Sequence, residues 1–390
     1  MKLWSLEKND THRIISILGI RMRFRSKYLA LSSKVRKLEE KLDSISRELS
    51  NSTQAWLQGV SARQAEADIK AGLCINREIS WEPWRLRRIN WVLRNYHMLD
   101  VMDYPSDRVV VYITDKTERF GLVDRLRTMA YAYVLAAESG RSLHIYHDYG
   151  FKLEEYLMPN EVNWLISPQD ICFDVNRVAF IFFPRKIENL DRKDREYHVY
   201  TSDMLLQYIL TPDQKERYSD YSVFSKLFKL SPRLETMLEE NLSSVGLAAG
   251  EYVVVHGRFL NYFEAVEIDE NRGSTAESEE ERLAMMQKVI RTLDIVHEEN
   301  KGKRILLFSD SNYVLHHELL PSYVAVLPGD VGHVSKHSSN SSVVDKAFVD
   351  LISMSRGFKV YSLRGDNIYG GNFAKYAALI GDKPYIQLQV

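Results

Sequence analysis

Several absences narrow this sequence before any motif does. Only two cysteines occur in 390 residues, Cys74 and Cys172, and they stand far apart. That spacing excludes a disulfide framework and a cysteine-ligated metal or redox motif, and it suits a reducing compartment. No apolar run approaches the ~20 residues of a membrane-spanning helix. No signal peptide with a cleavage site is legible at the amino terminus, so the expected location is the cytoplasm, with any membrane contact peripheral. An excess of one charge is missing too. The formal net charge of −1 provides no general attraction to nucleic acid, and no nucleic-acid partner is expected.

What remains is an ordinary globular composition, 45% hydrophobic and 27% charged, in a chain long enough for two cores rather than one. Residues 1–27 differ from the rest. Lys2, Lys8, Arg13, Arg21, Arg23, Arg25 and Lys27 outnumber Glu7 and Asp10, and Ile20, Met22 and Phe24 alternate with arginines. A period of two predicts a strand with one apolar and one basic face. Such a ribbon suits an anionic membrane surface, where each basic residue contributes roughly 1 kcal/mol. It equally suits an edge hairpin with its arginines in water. Residues 28–52 follow as a predicted stalk. There Leu31, Val35, Leu38, Leu42, Ile45 and Leu49 form the seam of a coiled coil, which predicts a homo-oligomer through residues 28–50; an intramolecular amphipathic helix is the alternative. Between residues 54 and 104, Trp81, Trp84 and Trp91 lie among Arg85, Arg87 and Arg88. We read these as a tryptophan face packed on a neighbouring domain, in preference to base stacking.

From Arg108 onward, strand-like and helix-like segments alternate. Arg108–Thr114, Ser142–His147 and Val178–Phe183 read as strands; Gly121–Ser139, Thr201–Leu210 and Tyr221–Leu242 read as helices. After a hinge at Val245–Gly250 the pattern resumes. Tyr252–Val255, Arg304–Ser309, Val324–Leu327, Lys359–Ser362 and Pro384–Leu388 are the predicted strands, separated by helices at Glu280–Asn300, Asp345–Ser355 and Asn372–Ile380. Strands separated by helices imply parallel sheets. The expected fold is α/β, with two Rossmann-like domains (53–245, including the helical segment, and 246–390) facing a cleft.

The organising stretch is Glu251–Glu264. Its β-branched run Tyr252–Val255 ends in His256-Gly257-Arg258. Parallel sheets bind ligands beyond the carboxyl ends of their strands, and an arginine there presents a planar fork suited to phosphate oxygens. An arginine paired with Glu264 or Glu267 is the alternative. Further on, Tyr369-Gly370-Gly371-Asn372 opens a helix and offers free N–H groups, unless it is an ordinary turn. Ser309 and Asp310 end another strand, where Asp310 would accept from a ligand or cap a helix.

Taken together these residues resemble the fucosyltransferase superfamily of GT-B glycosyltransferases. Arg119-Phe120-Gly121 with LVDRLRTMAYAYVLAAESGRSLHI is similar to the family's first loop and helix. VVVHGR resembles its H-x-R motif, and DLISMSRGFKVYSLRGDNIYGGNFAKYAALIG its third motif; LLFSD stands where the family has a strand ending in Thr/Ser-Asp. The likeness spans roughly Arg108 to Leu388. It implies an inverting transfer of fucose from GDP-fucose to a bacterial surface glycan such as O-antigen, capsule or lipopolysaccharide. Donor contacts would come from His256, Gly257, Arg258, Gly121, Ser309, Asp310, Tyr369, Gly370, Gly371 and Asn372. Glu118 stands where some members carry a catalytic glutamate, with Asp115 in reserve and a surface role beside Arg119 as the alternative. Departures leave the sugar open: Arg258 is followed by Phe259-Leu260-Asn261, and Asn372 and Lys375 replace the usual serine and arginine. The chain contains no Asp-x-Asp triplet, so no metal cofactor is expected and arginines and helix N-termini must stabilise the leaving diphosphate. The same fold with another nucleotide sugar, or a non-catalytic coiled-coil scaffold, are the competing readings.

Overall fold

The computed structural model describes residues 4–8, 12–17, 20–25, 107–113, 121–147, 149–174, 177–182, 186–187, 190, 195–201, 205–264, 274–332, 334 and 341–390. The chain divides into two compact units, Met1–Ala65 with Glu82–His97, and Glu66–Trp81 with Met98–Val390. In the first unit, β1 (Trp4–Lys8), β2 (His12–Ile17) and β3 (Ile20–Arg25) form an antiparallel sheet in that order. The alternating stretch Ile20–Arg25 is thus a strand, paired with β2. The heptad seam of 28–50, the tryptophans of 54–104, and Asp115, Glu118, Arg119 and Phe120 lie outside the described residues.

The second unit opens with β4 (Arg108–Ile113), α1 (Leu122–Glu138) and β5 (Ser142–His147). Next come β6 (Leu157–Pro159), β7 (Val178–Phe182) and β8 (Glu196–Thr201). Short helices α2 (Leu206–Ile209), α3 (Pro212–Arg217) and α4 (Asp220–Leu227) lead to β9 (Phe228–Leu230) and α5 (Pro232–Ser244). Four strands pair in parallel in the order β5-β4-β8-β7. Val109, Val110 and Val111 of β4 are fully buried, as expected of a central strand covered on both faces. α1 packs against β4, β5 and β8 through Leu126, Met129 and Val134.

Two expectations are corrected here. The segment Tyr221–Leu242 is two helices, not one, because Phe228–Leu230 leaves to pair with β6. Ser231 then caps α5 by accepting from the Leu234 N–H, with Pro232 in the first turn, a start signal that the backbone cannot run through. In place of a helix over Thr201–Leu210, Thr201 closes the central strand β8, and among the described residues of that span only α2 is helical. β8 reads poorly as a strand because it carries charge. Glu196 is 1% exposed and accepts from Arg108 Nε (2.6 Å) and from His198 Nε2 (2.6 Å).

The second sheet contains β10 (Tyr252–Gly257), α6 (Glu279–Glu299), β11 (Arg304–Ser309), α7 (Asn312–Leu315), β12 (Val324–Ala325), α8 (Ser341–Ser355), β13 (Val360–Arg364), α9 (Asn372–Ile380) and β14 (Tyr385–Gln389). All five strands are parallel, in the order β12-β11-β10-β13-β14. Alternate residues of β10 serve opposite layers. Val253 and Val255 pack with Met286, Val289 and Leu293 of α6, while Tyr252 and Val254 join the core that contains α8 and α9. Burying each such side chain contributes ~1.5–3 kcal/mol.

That second core is continuous with the first sheet. α9 packs on α1 and α4, and α8 packs on α5. Tyr156 stacks on Phe348 with centroids 4.2 Å apart and planes 5° from parallel, and its hydroxyl donates to Asp345 Oδ1 at 2.6 Å. Arg233 reaches the same carboxylate at 2.7 Å. The two parallel sheets are therefore held as one body by aromatic packing around a shared ion pair.

Candidate functional site

In the second sheet the chain builds outward from β10 through β11 to β12, then crosses to β13 on the other side of β10. Outside the carboxyl ends of such reversed neighbours a crevice opens, and ligands of open parallel sheets bind there. β10 ends in Gly257 and is followed by Arg258; β13 ends in Arg364 and is followed by the turn to Gly371.

The two loops interlock. The Tyr369 N–H donates to the Arg258 carbonyl at 2.7 Å. A Cβ on Gly371 would lie 3.0 Å from Arg258 Cδ, so the arginine stem runs directly over that glycine. Gly257 has no room for a side chain either, since a Cβ would come within 2.7 Å of Phe259 Cε2. Gly371 is the N-cap of α9 and supplies no side-chain cap, which leaves the first N–H groups of the helix for another acceptor. Asn372 and Tyr369 are exposed beside it, and Tyr369 is 37% exposed. At the first sheet Gly121 likewise precedes α1 without a side-chain cap.

Asp310 shapes this loop. Its Oδ1 accepts from the Phe259 N–H at 2.8 Å and its Oδ2 from the Leu260 N–H at 2.9 Å, while Arg258 Nε is a long 3.9 Å away. Leu260 has φ +54°, a region unfavourable for a branched side chain, so the two carboxylate bonds hold a bend that the backbone alone would resist. The cap of α7 is Ser311, not Asp310: Ser311 Oγ accepts from the Val314 N–H. Ser309 is buried and its Oγ accepts from the Ser311 N–H at 3.1 Å. Glu264 does not reach Arg258. Its Oε1 accepts from Ser311 Oγ and the Tyr313 N–H, at 3.0 and 3.1 Å. Glu267 lies outside the described residues.

His256 is buried beneath the crevice, stacked on Phe373 of α9 with centroids 6.2 Å apart. Burial first, and the Arg258 charge second, push its pKa down to about 4, so the ring is neutral at ordinary pH. Its Nδ1 is covered and has no hydrogen-bond partner.

Sequence reasoning passed over Arg364. Its guanidinium lies against Gly370, where any Cβ would overlap it. The signal was available: an arginine next to a glycine at the carboxyl end of a strand, Arg364-Gly365 here and Gly257-Arg258 at β10. A second group overlooked is Arg125, one turn into α1. It is 2% exposed and donates to His147 Nε2 (3.0 Å) and to the Tyr149 carbonyl (2.8 Å) at the carboxyl end of β5. Burial, then the Arg125 charge, push His147 down to about 3. The imidazole is therefore neutral, with Nδ1–H donating to the Phe151 carbonyl at 3.1 Å.

Asp310→Asn should expose the loop's dependence on its clamp. The amide can replace one acceptor but turns N–H toward the other donor, at a cost of about 1.5–3 kcal/mol for a lost charge-assisted bond. A loss of that size is expected in stability, read from the urea midpoint. An unchanged midpoint would mean that the two carboxylate bonds do not hold the bend at Leu260.

Among the described residues no cluster of His, Cys, Asp or Glu could hold a metal ion, and no helix is long and apolar enough to cross a membrane. No family model and no curated protein matches the chain. Solved structures do resemble it. NodZ α-1,6-fucosyltransferase soaked with GDP-fucose is similar over 70% of this chain and 92% of its own, at 18% identity and TM-score 0.43. Fucosyltransferase NodZ from Bradyrhizobium is similar over 70% and 93%, at 16% identity and TM-score 0.45. A variant of FUT1 from Arabidopsis thaliana in complex with GDP is similar over 78% of this chain and 79% of its own, at 12% identity and TM-score 0.46.

Proposed function

We propose that this chain is a metal-independent, inverting GT-B glycosyltransferase whose donor is a nucleoside-diphosphate sugar, GDP-fucose in the first instance, and whose acceptor is a bacterial surface glycan. The observation that carries the reading is the crevice between β10 and β13, where Arg258 lies across the uncapped N-terminus of α9. A fixed cation and free N–H groups form a receptor for a leaving diphosphate.

In the proposed reaction the acceptor hydroxyl oxygen attacks the anomeric carbon from the face opposite the diphosphate. Its proton passes to a carboxylate, Glu118 or else Asp115. The bond from anomeric carbon to phosphate oxygen breaks, and the electron pair stays on that oxygen. Arg258 and the first turn of α9 stabilise the charge as it develops. Neutral His256 underlies the site without adding a second charge.

A thermal-shift screen against GDP-fucose, other GDP-sugars and UDP-sugars tests the donor. A ligand at 100 times its Kd stabilises by ~2.7 kcal/mol. GDP-fucose is expected to raise the melting temperature and UDP-sugars to leave it unchanged. A shift from UDP-sugars alone would favour the same fold with another donor, and binding without turnover would favour the scaffold reading.

A further inference from the structure

β13 ends in a side chain that the proposed reaction leaves unused. Arg364 closes the strand and is exposed, just before the turn that leads to α9. Its head is anchored from the neighbouring strand β14. In the orientation that its neighbours require, the Gln387 amide oxygen accepts from Arg364 Nε at 2.9 Å and from Nη2 at 3.1 Å. The guanidinium so held lies on Gly370, where a Cβ would overlap its Nε, Cζ and Nη2 together. Gly370 does not have the positive φ that favours glycine. Its conformation would admit a side chain; the arginine does not.

The strip above needs something to hold it. Up to Tyr369 the turn is fixed by hydrogen bonds. Gly365 and Ile368 exchange N–H···O bonds of 3.2 and 3.1 Å, and the Tyr369 N–H donates to the Arg258 carbonyl. Gly370 and Gly371 donate no such bond among the described residues. Adjacent glycines have the most backbone freedom to lose, yet Gly371 is the N-cap that sets the direction of the first amides of α9. One arginine covers each glycine, the stem of Arg258 on Gly371 and the head of Arg364 on Gly370.

We propose that Arg364 is a positioning residue for the leaving-group site: lying on Gly370, it fixes the Gly370-Gly371 strip and with it the aim of the α9 amides. The proposal rests on the nucleotide-sugar reading for its ligand. Preorganised donors stabilise developing charge without moving at the moment of reaction. Arg364 supplies that order through contact with the strip and not through its charge.

The test measures GDP affinity by calorimetry and deuterium exchange of the amides between Tyr369 and Phe373, on the full chain. The variants are Arg364→Ala, Arg364→Lys, Gly370→Ala and the double change Gly370→Ala with Arg364→Ala. A methyl on Gly370 pushes the movable guanidinium away, so both single changes to alanine release the same strip. Each is expected to speed exchange and to weaken GDP about tenfold, the cost of ordering one freed backbone residue. The double variant is expected to bind no more weakly than either single one, because the contact is lost only once. Arg364→Lys is expected not to restore affinity, since an ammonium keeps the charge but not the flat face. Additive losses, native affinity in either alanine variant, or rescue by lysine overturns the positioning role. Exchange as slow as wild type in Arg364→Ala overturns it whether or not GDP binds. Faster exchange in a chain that never binds GDP keeps the contact and removes the nucleotide-sugar reading.

Discussion

Replacing Arg258 with alanine is expected to lower kcat by about 10²–10³, the loss seen when one fixed donor to a developing oxyanion is removed. The side chain crosses Gly371 at the N-terminus of α9, beside the N–H groups that this helix leaves without a side-chain cap. Arg258→Lys should recover only part of the rate, because an ammonium cannot reproduce a two-pronged contact. Glu118→Gln separates a different step. If Glu118 takes the acceptor proton, the variant binds GDP with near-native affinity but turns over slowly. Single-turnover rates and GDP calorimetry on the three variants check both roles. Full activity in Arg258→Ala, with an unchanged melt, would place the leaving-group site elsewhere.

The largest expected loss of stability comes from Glu196→Ala. Glu196 begins β8, receives Arg108 and His198, and is almost fully covered. Truncation strands the Arg108 charge, itself 8% exposed, in a site that cannot hydrate it. About 3–5 kcal/mol is the usual cost of breaking such a buried pair from one side. The urea midpoint measures it, and a shift below ~1 kcal/mol would show that water reaches Arg108. A pH signature accompanies the pair. Burial by itself would raise the Glu196 carboxyl, but the His198 hydrogen bond and the Arg108 charge together hold it below its ordinary 4.5. A lowered carboxyl contributes stability that is present above pH 4.5 and lost as pH falls through the folded value. The gap in midpoint between wild type and Glu196→Gln should therefore narrow on acidification from pH 7 to pH 3.5. A constant gap would argue against the ion pair.

These two sites show how unevenly the sequence can be read. β4, β7, β10, β11 and β13 coincide closely with apolar runs, because a strand covered on both faces must be apolar along its length, while the edge strand β5 shows instead the alternation of a half-covered one. β8 breaks that rule. Glu196 and His198 are tolerable in a central strand only because Arg108, 88 residues away in sequence, closes the network, and no local window contains that partner. The merged helix at Tyr221–Leu242 failed for a related reason. Phe228–Leu230 is a strand only because β6 lies alongside it.

By itself, then, the sequence determined that strands and helices alternate, that the sheets are parallel, and that His256-Gly257-Arg258 and the Gly370-Gly371 turn stand at strand ends. Local chemistry suffices for this, since hydrophobic period and glycine placement act within a few residues. Only the tertiary structure decided that β13 returns beside β10, so that Arg258 meets Gly371. It also decided that Asp310 grips the Phe259 and Leu260 amides. Strand neighbours in a parallel sheet are joined by backbone hydrogen bonds, the same for every residue type. Which strands become neighbours is therefore settled by the packing of α1, α8 and α9 across the shared core, and by nothing that any single segment contains.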